Sequence, residues 1–128
     1  FYGKLPYDKV PALEEKCDII SAMYDPSVPN NRFAAPNKLY ESMMLSKPVI
    51  MCENTGWDEV VEQNEIGVIA NPSEEGIKKA LEEIIEKKNS WIDMGKRSNE
   101  LYRNTYSWNI MNERVKNLYC KLYRGEEK

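Results

Sequence analysis

The chain contains no histidine. That removes from its 128 residues every catalytic unit built on an imidazole: a Ser-His-Asp or Cys-His nucleophile, a histidine general base and a histidine metal cage. Its three cysteines, Cys17, Cys52 and Cys120, are far apart and form no Cys-x-x-Cys pair. Neither a zinc site nor a disulfide framework is indicated, and a reducing, cytoplasmic setting fits. No apolar run approaches the roughly 18 residues of a membrane span. No stretch is dense enough in Lys and Arg to read as a nucleic-acid or lipid patch, so a general polyanion binder is not expected. The Gly-x-Gly-x-x-Gly fingerprint of an ordinary Rossmann dehydrogenase is missing as well. The chain opens on Phe1-Tyr2-Gly3, without methionine, charged leader or cleavable apolar segment, and so is expected to be cut from something longer.

What is present is a soluble, globular composition, 41% hydrophobic and 30% charged, with a formal net charge of −3. The length suits one domain or a piece of one. Residues 18–23, 48–52 and 67–70 are short apolar runs bounded by turn residues, as buried parallel strands are. Helical stretches alternate with them over 35–47, where Pro36 suits a first turn, and over 57–63, where Asp58 stands three residues after Thr55 as a capping-box acid. The pattern is that of an α/β fold with a parallel sheet and a helical C-terminal third. In that third, Ser73 precedes Glu74 and Glu75, and Ile77, Ala80, Leu81, Ile84 and Ile85 share one helical face. Ser90 and Ser107 read as the N-caps of two further helices. The last carries a stripe of Trp108, Met111, Val115, Leu118, Tyr119 and Leu122, expected to pack onto the sheet, with a partner-binding face as the alternative. Tyr24 and Trp57 are expected in the core, and the charged tail 125–128 is expected to fray.

In an open α/β sheet, ligands lie outside the carboxyl ends of the strands, which directs attention to residues 24–35 and 53–56. The first loop is longer than the two to six residues such a joint needs. It feeds a helix beginning Pro36-Asn37-Lys38-Leu39-Tyr40-Glu41, whose first free N–H groups form a phosphate seat. Glu41 lies on the same face as Asn37 and Lys38. A carboxylate there repels phosphate but accepts two hydrogen bonds from a vicinal diol, such as the ribose attached to it. The alternative is a solvent-facing Glu41 paired with Lys38 or Lys47. Lys38, on a first turn, opposes the helix dipole, so it is either solvated or offset by a bound anion.

The run Pro36-Asn37-Lys38-Leu39-Tyr40-Glu41-Ser42-Met43-Met44-Leu45-Ser46-Lys47-Pro48-Val49-Ile50 resembles the P-N-K-x-x-E-x-M-x-x-G-K-P-V-I segment of family 4 (group 1) glycosyltransferases, retaining enzymes of GT-B fold. Phe1-Tyr2-Gly3 with Leu5-Pro6-Tyr7 resembles that family's strand ending in glycine before a loop that meets the base. Cys17-Asp18-Ile19-Ile20 and Gly67-Val68-Ile69-Ala70 resemble two later strands, and Tyr106-Ser107-Trp108 its y-S-W. The resemblance implies that amides around Ala35, Asn37 and Lys38 hold a donor diphosphate, that Glu41 holds the ribose, and that backbone near Leu5 meets the base. Gly56 belongs to a loop facing the donor sugar. No resident cofactor or metal is implied, only an NDP-sugar substrate, UDP- or GDP-linked. The chain departs from the family at Phe33, where the first of two glutamates usually stands, at Ser46, where glycine is frequent, and at Pro36, in place of a phosphate-contacting glycine. Arg32 or Asn31 is the candidate substitute contact.

On this resemblance, residues 1–128 are the later part of a donor-binding, Rossmann-like domain of GT-B type, lacking its first strands and the N-terminal domain that would hold a glycan or lipid-linked acceptor. The implied function is transfer of a hexose-type sugar in surface polysaccharide or glycolipid assembly, cytoplasmic or peripheral at the inner membrane, with this piece inactive alone. The alternatives are a catalytically silent scaffold subunit of the same kind, and an unrelated flavodoxin-like or regulatory α/β domain. The first strand would lose a neighbour, so dimerisation through its edge is expected, by exchange of residues 1–3 or of the terminal helices.

Overall fold

The structure, a computed structural model, describes residues 2–125. Three strands, β1 (Ile20–Ala22), β2 (Val49–Cys52) and β3 (Gly67–Ala70), form one parallel sheet in the order β1-β2-β3. Ile20 pairs with Val49, and Val49 with Gly67. The central strand is buried along its whole length, which is why Val-Ile-Met-Cys is uninterrupted by polar residues. The helices are α1 (Val10–Glu14), α2 (Asn37–Met44), α3 (Asp58–Gln63), α4 (Glu74–Glu86), α5 (Trp91–Leu101) and α6 (Trp108–Tyr123). The fold is therefore the α/β arrangement expected, with parallel strands and a helical C-terminal part. Two hydrophobic clusters cover the two faces of the sheet. Leu39, Met43 and Val61 pack on Ala22, Val49 and Met51 on one side, while Ala80, Ile84 and Met94 pack on Ile50 and Val68 on the other. Tyr24 and Trp57 lie against the first cluster, as anticipated.

Helix starts depart from expectation by one or two residues. Pro36 is extended (φ −74°, ψ 127°) and stands before α2 as its N-cap, so the helix opens at Asn37. Ser73 does cap α4, accepting a hydrogen bond from the Gly76 amide at 3.1 Å. Ser90 and Ser107 occupy N-cap positions without a side-chain cap bond. Asp58 is not the partner of Thr55. Its carboxylate accepts from the Asn54 amide at 2.7 Å, and the buried Thr55 hydroxyl donates to the Cys52 carbonyl at 2.8 Å.

The C-terminal stripe requires the largest correction. After α5, a π-helical turn (Tyr102–Tyr106) ends at Ser107, whose extended ψ of 149° redirects the chain. The principal contact of α6 is with that turn, and the helix buries no residue. Trp108 and Leu122 are 73% and 65% exposed, so the stripe does not pack on the sheet. Tyr2 and Gly3 are not in a strand; Phe1 and residues 126–128 of the tail lie outside the described residues.

The joint between α2 and β2 turns on Ser46, which takes a left-handed backbone (φ 57°) where glycine is unstrained. Ser46→Gly is expected to raise stability by about 1 kcal/mol, read as a higher urea midpoint at unchanged m-value.

Candidate functional site

The loop after β1 is folded upon itself. The Ser27 amide donates to the Asp25 carboxylate at 2.8 Å, Asn31 Nδ2 to the Asp25 carbonyl at 2.9 Å, and Arg32 Nε to the Pro26 carbonyl at 2.9 Å. Hydrogen bonding from Ser27 holds the Asp25 carboxyl below its ordinary value. The loop after β2 uses left-handed backbone at Asn54 (φ 60°) and Gly56 (φ 76°). A Cβ on Gly56 would lie 2.6 Å from the Arg32 carbonyl oxygen, so the two loops touch through this glycine. Between them opens a cavity of about 620 Å³ lined by Pro26, Ser27, Arg32, Asn54, Gly56, Asp58 and Glu59. Its place, at the carboxyl ends of β1 and β2, is where ligands of open α/β sheets lie. A hollow of about 560 Å³ at Glu65 and Gly67 sits instead at the amino end of β3.

A second cavity, of about 220 Å³, borders α2. Asn37, Tyr40, Glu41 and Met44, spaced three or four apart on α2, form one wall, and Tyr7 and Tyr102 close it. No side chain caps the start of α2 and no acid lies in its first turn; the Leu39 amide donates to the Pro36 carbonyl at 3.0 Å, and the Asn37 and Lys38 amides ahead of it remain open to an anion. Tyr40 meets Trp57 and Tyr106 edge-to-face, with centroids 5.5 and 6.0 Å away, which fixes the helix face carrying Glu41.

Glu41 is 6% exposed and thus not solvent-facing. Its Oε1 accepts from the Tyr7 hydroxyl at 2.8 Å and its Oε2 from Lys38 Nζ at 2.9 Å. Lys38 also bonds Glu14, whose other carboxylate oxygen is buried without a partner. Lys38 is therefore neither simply solvated nor dependent on a bound anion: two carboxylates offset the helix dipole. Burial pushes Glu41 upward, but the bonds from Lys38 and Tyr7 and the lysine charge outweigh it and hold the carboxyl below its ordinary value. For Lys38, burial pulls downward, and hydrogen bonds to Glu14 and Glu41 overcome it, leaving the ammonium raised. The hydrogen bond to Glu41, and then its charge, raises the Tyr7 phenol.

These shifts fix the sign of a pH effect. The depressed Glu41 stabilises the fold above the ordinary glutamate value of about 4.3, and that contribution is lost as pH falls through the folded value. The raised Lys38 contributes below about 10.4 and is lost as pH climbs through its folded value. A plateau of urea midpoint between these limits, with a fall on both sides that Lys38→Met flattens, is the expected outcome.

Asn37 and Glu41 thus line one cavity, with Lys38 bonded to Glu41 beside it, and Arg32 and Gly56 line another. Ala35 is exposed just ahead of α2, and Leu5 is half-buried; neither lines these cavities. Phe33 is 88% exposed. Glu14 and Tyr102 are not marked by sequence as site residues, and Tyr7, part of the Leu5-Pro6-Tyr7 run, is not marked as a partner of Glu41. Glu14 lies 24 residues from Lys38, and no local pattern joins them. Among the described residues, no three His, Cys, Asp or Glu side chains are grouped to hold a metal ion, and no helix is long and apolar enough to cross a membrane.

The family model described as "Glycosyl transferases group 1" matches residues 1–108, and α6 extends beyond the matched segment. No curated protein and no solved structure matches the chain.

Proposed function

Since this chain belongs to the group 1 glycosyl transferases, we propose that it carries the donor site of a retaining enzyme that moves a hexose-type sugar from a UDP- or GDP-linked donor to a glycan or lipid-linked acceptor. Membership supports a glycosyl-transfer role and excludes an unrelated regulatory α/β domain. The observation that carries the finer reading is Glu41: a buried carboxylate, held charged, walling a cavity four residues along a helix whose leading amides are open.

In this reading the amides around Ala35, Asn37 and Lys38 take the diphosphate, Glu41 takes the ribose diol, and backbone near Leu5 meets the base. Arg32 and Gly56 face the sugar across the larger cavity. When the sugar–phosphate bond breaks, negative charge grows on the leaving diphosphate. Helix amides stabilise that charge in place of a metal ion, since Lys38 is already paired with Glu14 and Glu41. The 128 residues act as the later part of a donor-binding domain, and transfer needs a second domain for the acceptor. The inferred setting is surface polysaccharide or glycolipid assembly in the cytoplasm, at the inner membrane, consistent with three unpaired cysteines.

Turnover tests this. The full-length protein, incubated with UDP-, GDP- and ADP-linked hexoses, is expected to release one nucleoside diphosphate, and Glu41→Ala to lower its kcat/KM. Folded full-length protein that releases none would favour the second reading, a catalytically silent binding subunit. That alternative draws support from Phe33, an exposed phenyl ring where a carboxylate usually contacts the donor sugar. The free edge of β1, which pairs only with β2 among the described residues, supports homodimerisation. Light scattering at high concentration is expected to give the dimer mass; a monomer contradicts it.

A further inference from the structure

Resting on the donor-site reading, we propose that Tyr7 is an internal ligand of Glu41: its phenol occupies a position that a ribose hydroxyl needs, and it sets both the affinity and the diol selectivity of the site. The Tyr7 hydroxyl donates to Glu41 Oε1 at 2.8 Å, while Lys38 takes Oε2. A cis-diol engages a carboxylate with one O–H on each oxygen. A carboxylate oxygen can accept two bonds, but Glu41 is only 6% exposed and Tyr7 forms part of its cavity wall with the phenol hydroxyl set on Oε1, so the phenol covers the approach that the first of those hydroxyls needs.

Tyr7 can give way without disturbing the core. Its side chain is 66% exposed, so packing contributes little to its position, and the hydrogen bond is what orients it. It sits in a single 3-10 turn (Tyr7–Lys9) whose main contact is α1, and the ion pair from Lys38 to Glu14 at the end of α1 anchors this segment independently. Displacing the phenol thus costs one hydrogen bond and leaves the second tie intact. Tyr7 also forms part of the wall of the 220 Å³ cavity that Glu41 faces, so the departing ring vacates space that the ligand enters. The ligand class favoured by this exchange is a ribonucleoside diphosphate with both ribose hydroxyls. An analogue without them does not compete with the phenol.

The test is calorimetric titration of the full-length protein and of its Tyr7→Phe variant with UDP, GDP and ADP, and with the 2′,3′-dideoxy counterpart of whichever binds. Tyr7→Phe is expected to bind the ribonucleotide roughly tenfold more tightly, one charge-assisted hydrogen bond no longer having to be broken. Its Kd for the dideoxy compound is expected to equal that of the unaltered protein. Tyr7→Leu, which also lacks the hydroxyl, is expected to repeat the gain. Equal tightening toward both nucleotides, or unchanged or weaker ribonucleotide binding, overturns the proposal while leaving the donor site in place. If neither protein binds any nucleotide, the donor-site reading fails and this inference falls with it.

Discussion

Gly95→Ala is expected to lower the unfolding free energy by about 2–3 kcal/mol. Gly95 is buried in α5, and a Cβ at that position would lie 2.1 Å from the Ser46 carbonyl oxygen. That oxygen belongs to backbone, not to a side chain that can swing away. Ser46 is held on both sides: the Lys47 amide donates to the Ser42 carbonyl at 2.9 Å, and Asn99 Nδ2 donates to the carbonyls of Met43 and Met44 at 3.1 and 3.0 Å. The methyl group must therefore push α5 away from the α2–β2 joint. Alanine's better helix propensity returns about 1 kcal/mol, already included in the net figure. Thermal unfolding is expected to show a Tm lower by roughly 10 °C. An unchanged Tm would mean that the two helices separate freely at this contact. Because α2 carries Glu41, the variant that folds is also expected to bind nucleotide more weakly, linking a remote packing contact to the site.

Glu41→Ala is the second large effect, and it concerns binding. Removing the carboxylate deletes both acceptors offered to a diol, each charge-assisted bond contributing about 1.5–3 kcal/mol, of which the exchange with Tyr7 takes back part. The net expectation is a loss of affinity on the order of a hundredfold. The fold should survive, because Lys38 keeps Glu14 as a partner. Glu41→Gln is expected to fall between, since its amide retains one acceptor oxygen but no charge. Circular dichroism of each variant, run beside the titration, separates lost binding from lost structure.

How much of this was readable in the sequence depends on whether the cause is local. The three strands are apolar runs between turn residues, and their parallel pairing follows from the helices between them. The Ser73 cap and the stripe of α4 are likewise written in neighbouring residues. Glu41 stood out because helical spacing alone put it beside Asn37 and Lys38. The α6 stripe shows the limit of that method. Periodicity states that a face is apolar, but what covers it depends on where the chain turns, and the π turn ending at Ser107 left no pattern to read. Asp58 had the capping-box spacing from Thr55, yet left-handed backbone at Asn54 and Gly56 offered it a different amide. The Lys38 ion pair with Glu14 and the Tyr7 bond to Glu41 join segments 24 and 34 residues apart, a distance at which only the folded chain brings them together.

The central claim is that α2 presents a nucleotide-sugar donor site through its open amides and Glu41. Calorimetric titration of the full-length protein with UDP, GDP, ADP and their hexose conjugates, repeated with Glu41→Ala, tests it most directly. The account predicts that one nucleotide binds, that its base is thereby identified, and that Glu41→Ala weakens it by about two orders of magnitude. A folded full-length protein that binds none of them, or that binds one equally well without Glu41, would contradict it.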